Sequence, residues 1–299
     1  MKRQRTHKIV IAAIAAAQIG AVSPVSAQSD EAIEAARRVN IAGRQRMLSQ
    51  RMSKAACFIS IGADAENQQV VLQDAFNLFS SSHEALRFGS QTAGLTAERN
   101  QRLLDALSIV STDWSPFSGL VESALSQGYV AAPAVARIDE TGLVLLGNMN
   151  KAVNKIANAY GEELPDMPLL LSLTIDLAGR QRMFSQKAAK EFCLIDAGIN
   201  VEANQESLAK TTNLFTLTLD ALISGMPGMV MAAPNDEIRA KLEAVSAAWA
   251  GPKAELDQAA SGAPITDAQR ATIVHDMENV LTLMNEAVGM YEEAIPEPE

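Results

Sequence analysis

The chain has 299 residues, 48% of them hydrophobic but only 4% aromatic, with a formal net charge of −10. Few aromatics, 17 Gly and 11 Pro leave too little strand and turn material for an all-β fold, and the apolar content is too high for a disordered chain. The acid excess argues against a general nucleic-acid binder, which needs a basic face to neutralise phosphates, so an Ala/Leu-rich helical protein of one or two domains remains.

At the N-terminus Lys2, Arg3, Arg5 and Lys8 precede the apolar run from Ile9 to Val22, and Val25-Ser26-Ala27 supplies the small residues a signal peptidase reads. The expectation is a cleavable signal peptide over residues 1–27 and a periplasmic location; an uncleaved anchor is the alternative, although the run is short for one. No later stretch is long and apolar enough for a transmembrane helix. Cleavage removes four basic and no acidic residues, leaving 21 basic against 35 acidic, a balance of −14.

In chain order, the first predicted helix is capped by Asp30, runs to about Ile61 and is stopped by Gly62. The second covers about 66–88, before Gly89. The third starts near Thr96 with Glu98 in its first turn, and passes Pro116, with a kink there, to about Gln127. The fourth spans about 134–160. The series then recurs at about 168–197, 201–224, 236–260 and 267–294. Long helices, short connections and no strand signal predict two tandem up-and-down four-helix bundles, an all-α fold with units 28–163 and 164–299.

The recurrence is written in the residues. VNIAGRQRMLSQRMSKAACFI at 39–59 answers IDLAGRQRMFSQKAAKEFCLI at 175–195, an offset of 136 that carries Lys54 onto Lys190 and Cys57 onto Cys193. Downstream, Asn77-Leu78-Phe79 answers Asn213-Leu214-Phe215, and Gly89 answers Gly225. Trp114 answers Trp249, and Met149-Asn150 answers Met284-Asn285, at the slightly shorter offset of 135.

On a helical wheel Ile41, Leu48, Met52, Ala55 and Ile59 form an ordinary core stripe. Gly43, Arg46, Gln50, Ser53 and Cys57 form a second seam, small and polar, reproduced as Gly179, Arg182, Gln186, Ala189 and Cys193. A helix with two such faces needs two packing partners, and Arg46 then points into a narrow interface. A buried guanidinium is costly unless an anion meets it, and its planar fork suits a small oxyanion. Between Ala35 and Ala63 there is no acidic residue, but Arg37, Arg38, Arg44, Arg46, Arg51 and Lys54 lie there, a basic island in an acidic protein. The other reading is that Arg46 and Arg182 pair with Asp or Glu on neighbouring helices and only set register. Arg44, Arg51, Arg180 and Lys187 lie off the seam, on what reads as a solvated face or rim.

These strings resemble the PilJ-type domain, the N-terminal domain of type IV pili methyl-accepting chemotaxis transducers, and the related periplasmic sensor domain of the nitrate/nitrite kinases NarX and NarQ. The shared box has the form AG-x-x-RM-x-S, which Ala42 to Ser49 and Ala178 to Ser185 both match. The resemblance implies a periplasmic sensory module in which Arg46 and Arg182 touch a small inorganic anion, nitrate or nitrite; Gly43, Gly179, Ser49, Ser185, Gln50 and Gln186, from the same box and seam, complete the expected ligand-binding set. In the kinases the anion lies between two such helices at a homodimer axis; a duplicated chain can build that site within itself as a pseudo-dimer, a homodimer being the alternative. Without a transmembrane output module of its own, the chain is expected to present its state to a membrane sensor or chemotaxis transducer.

Cys57 and Cys193 fall on the arginine seam. An oxidising compartment and a twofold-like axis between the first helices would join them as a disulfide; bundles lying end to end would leave them as small core residues. His83 and His275 do not recur and have no second ligand at metal spacing. No haem-attachment motif, di-iron pair, nucleophile–base signature or phosphate loop appears, so no cofactor, metal or enzyme activity is expected. Set against the anion sensor is a structural or interaction bundle of the cell envelope or pilus system, whose box only packs helices.

Overall fold

In the computed structural model residues 25–163 and 169–294 are described. They form eight helices: α1 (Val25–Ser60), α2 (Ala65–Phe88), α3 (Gln101–Gln127), α4 (Ala132–Glu163), α5 (Leu169–Asp196), α6 (Val201–Ser224), α7 (Asp236–Ala260) and α8 (Asp267–Glu293). Helices α1 to α4 make one up-and-down bundle and α5 to α8 a second, the first helix of each closing against the fourth. The two bundles are joined along α1 and α5. Among the described residues no helix is long and apolar enough to cross a membrane.

Each repeat punctuates its chain in the same way. Gly62 and Gly198 follow the first helices at φ 70° and 71°. Asp64 and Asn200 then open α2 and α6 in the left-handed region, which Asp and Asn tolerate better than other side chains. Pro116 lies inside α3 and Pro252 inside α7, one residue out of register with each other relative to Trp114 and Trp249, and both helices continue past them.

Two starts differ from expectation. Asp30 is no cap, because α1 already runs through it from Val25. Helix α3 begins at Gln101, capped by the side chain of Asn100, which accepts from the Arg102 N–H. Thr96 and Glu98 are occupied elsewhere: the Glu98 carboxylate accepts from the Arg99 and Asn100 N–H groups, and the Thr96 carbonyl accepts from Arg38. The stretch from Leu95 to Asn100 thus straps the α2–α3 connection onto α1. Of the expected signal peptide, residues 1–24 lie outside the described residues, and the expected boundary between units falls beside 164–168, also outside them.

The cores repeat as the strings do. Phe79 and Phe215 are fully buried, each with its ring centroid 4.1 Å from that of its bundle's tryptophan, Phe79 stacked on Trp114 and Phe215 tilted against Trp249. Leu48, Met52, Phe117 and Met149 fill the first bundle; Phe192, Leu256, Met284 and Tyr291 fill the second.

Candidate functional site

From Ile41 to Ile59 every residue of α1 is buried except Arg44 and Arg51, and from Ala178 to Leu194 every residue of α5 except Arg180, Phe184 and Lys187. Each helix is sheathed by two neighbours of its own bundle and by the other helix. The small-polar seams therefore meet along the junction. Three contacts fix the arrangement as parallel and nearly symmetric: Arg46 reaches Asp176, Arg182 reaches Asn40, and Cys57 is bonded to Cys193. The cysteines form a disulfide with Cα atoms 6.1 Å apart, and both are fully buried.

The glycine three residues before each arginine makes room for it. A Cβ on Gly43 would stand 3.4 Å from Nη2 of Arg46, and one on Gly179 would stand 3.5 Å from Nη2 of Arg182. Each guanidinium thus lies over its own helix and projects across the junction. Arg46 Nη2 donates to Oδ1 of Asp176 at 2.7 Å, while its Nη1 is buried without a hydrogen-bond partner. Asp176 also accepts from Arg180, Nε to Oδ2 at 2.8 Å. Burial pushes the Asp176 carboxyl up, but Arg46 and Arg180 outweigh it and hold it below the usual carboxylate range.

The other half of the junction is built differently. Arg182 is 3% exposed, and its hydrogen bonds go to neutral amides: Nη2 to Asn40 at 2.6 Å and Nη1 to Asn285 at 3.4 Å. Its Nε is buried and unpaired. Burial and the neighbouring charge of Arg44 push its pKa down to about 10, so it stays cationic at neutral pH but at a cost. Glu292 of α8 is within electrostatic reach, and its Oε1 is buried with no hydrogen bond. Burial raises its carboxyl to about 6 despite Arg182, Arg44 and Arg37.

The remaining residues of the box divide. Ser49 and Ser185 turn back on their own helices, each hydroxyl donating to the carbonyl of the arginine three residues earlier at 2.9 Å. Gln50 and Gln186 are fully buried, each with an unpaired amide oxygen and one long hydrogen bond from its nitrogen. Of the off-seam cations, Arg180 is partly exposed beside Asp176, while Arg44 is half-buried near Arg182 and Glu292 rather than on a solvated rim, its Nε buried without a hydrogen bond. Arg51 is bonded to Glu278, and Lys187 is no solvated side chain at all: it is half-buried and donates to Glu191, Ser207 and Thr211.

Sequence reasoning missed Asn40 and Asp176, although the signal was visible as the second letter of the aligned VNIAG and IDLAG. It also left Lys54 and Lys190 without a role. Both are buried and both leave their own bundle, Lys54 for Glu278 on α8 and Lys190 for Asp139 on α4 at 2.6 Å.

The family model of the type IV pili methyl-accepting chemotaxis transducer N-terminal domain, PilJ, matches residues 27–137 and again residues 171–279. Each match opens before the AGRQRM box, runs through three helices and ends within the fourth. No curated protein matches the sequence. With two matches that together cover most of its length, the chain belongs to the PilJ family and carries two tandem copies of its domain.

Proposed function

We propose that this chain is a periplasmic sensory module, residues 28–299 after removal of a leader at 1–27, with units at 28–163 and 164–299. It takes a small oxyanion at the junction of α1 and α5 and presents its state to a membrane transducer. The observation that carries the reading is Arg182, a buried cation whose hydrogen bonds go only to neutral amides and whose Nε is unused. A planar anion satisfies such a fork bidentately and offsets the cost of burying it. Around it the guanidinium groups of Arg44, Arg46 and Arg180 face the carboxylates Asp176 and Glu292, a local excess of positive charge in an acidic protein. We assign the module no catalytic role and no cofactor.

Calorimetric titration of the purified protein with nitrate and nitrite, beside Arg46→Ala and Arg182→Ala, tests the reading. The expected result is heat with the wild type and none with Arg182→Ala. Folded variants and no heat with either anion in the wild type would leave the second reading, a bundle whose box only packs helices. The ion pair of Arg46 with Asp176 favours that second reading for its own half of the junction.

A further inference from the structure

The two halves of the junction match in every residue of the AGRQRM box and differ at the position that faces its arginine across the interface, Asn40 on α1 and Asp176 on α5. Resting on the oxyanion reading above, we infer that the junction holds a single anion, on Arg182, and that Asp176 is a built-in carboxylate occupying the equivalent place on Arg46.

The chemistry of the two partners decides the difference. Asp176 meets Arg46 at 2.7 Å and is held ionised by Arg46 and Arg180, so it neutralises that fork and repels a second anion. Asn40 carries no charge. Its carbonyl accepts from Arg182 at 2.6 Å, and its amide, turned over, has N–H groups to donate to an anion on the same guanidinium. An aspartate in that place could do neither for an anion. Asn285, the second partner of Arg182, is likewise neutral and adaptable. The carboxylate of Glu292 enters the field of Arg182 from α8, but no hydrogen bond joins the two. Duplication thus turns a symmetric pair of half-sites into one open half and one self-satisfied half, with positions 40 and 176 setting which is which.

The test exchanges the two residues. Sodium nitrate is titrated into the full protein, its Asn40→Asp variant and its Asp176→Asn variant at constant ionic strength in chloride, with thermal melts recorded for each. The wild type is expected to take up one nitrate. Asn40→Asp should lose at least tenfold in affinity while melting at the wild-type temperature or above, because Arg182 gains a carboxylate. Asp176→Asn should gain a second binding event or bind at least tenfold more tightly. A folded Asn40→Asp variant with wild-type affinity, or an Asp176→Asn variant that melts cooperatively and gains nothing, overturns the assignment while leaving the oxyanion reading standing. A wild type that takes up no nitrate here, and no nitrite in the calorimetry above, overturns both.

Discussion

Lys54, buried on α1, ends on the carboxylate of Glu278, a residue of α8 in the other bundle. Arg51 shares that carboxylate at 2.7 Å. Burial raises the Glu278 carboxyl, but the two cations outweigh it and hold it below its ordinary range. Removing the acid strands a wholly buried ammonium. Glu278→Ala should therefore destabilise the protein by about 3 kcal/mol at neutral pH, read as a shift of the urea midpoint at constant slope. Lys54→Met combined with Glu278→Leu should recover most of that loss, since a buried pair exchanged for apolar groups of similar size is often neutral. A double variant no more stable than Glu278→Ala would show that the loss does not come from the stranded ammonium.

The disulfide closes a loop across 136 residues, between two helices that already pack along their length. In the chain-entropy account a loop of that size stabilises by at most about 4–5 kcal/mol, acting on the unfolded state. The Cys57→Ala, Cys193→Ala variant should keep its helical circular dichroism and lose about 3–5 kcal/mol in denaturant melts. Because both cysteines are fully buried, native protein treated with a mild thiol should keep the bond until it unfolds. Rapid reduction under native conditions would contradict that burial.

His83 stands in the first bundle where the second has Leu219. It is buried against Phe79, its Nε2 is 2.8 Å from the Ser111 hydroxyl, and burial together with the Arg87 charge lowers its pKa to about 4. A histidine lowered in this way binds its proton in the unfolded chain first. Its contribution is complete above about pH 6.5 and is lost as pH falls from there to about 4, by up to roughly 3 kcal/mol. His83→Leu, the residue the second repeat uses, should flatten the stability profile between pH 6.5 and 4. An unchanged acid limb in this variant would assign the loss to carboxylates instead.

Glu292 gives the opposite slope. Its carboxyl is raised to about 6, so the native state favours the protonated form. That contribution is present below the ordinary carboxylate value of 4.5 and is lost as pH rises through about 6. Glu292→Gln should abolish this fall between about pH 4.5 and 6, measured as the thermal midpoint across the range. Above pH 6, where Glu292 is ionised, the variant should hold nitrate more tightly than the wild type, since one carboxylate near Arg182, Arg44 and Arg37 is gone.

Much of this architecture was legible in the residues, because a duplication shows its period twice. The bounds of α6 and α7 follow from apolar spacing, with Gly225 ending the one and Asn235 capping the other. The seam of Gly43, Arg46, Gln50, Ser53 and Cys57 called for a second partner, and α5 is there. What stayed hidden is what breaks the repeat. Lys54 and Lys190 correspond, but their partners do not: at the offset of 135 that governs the fourth helices, Glu278 answers Leu143 and Asp139 answers Val274. Comparing the repeats cannot find such pairs, because each bundle supplies its acid from a different turn. The start of α3 was missed for a related reason: Glu98 looks like a first-turn acid, but its carboxylate is held by Tyr160 and by the loop backbone.

The Cys57–Cys193 bond also makes the peptide between the bundles dispensable as a tether. A protease cut between Glu163 and Leu169 would leave two polypeptides, each a whole bundle, still joined by one cross-link near the end of their shared helices where α1 and α5 finish. Such a nicked protein runs as one band without reductant and as two of similar size with it. In topology the chain is a closed ring with two tails, a covalent dimer whose halves were translated together.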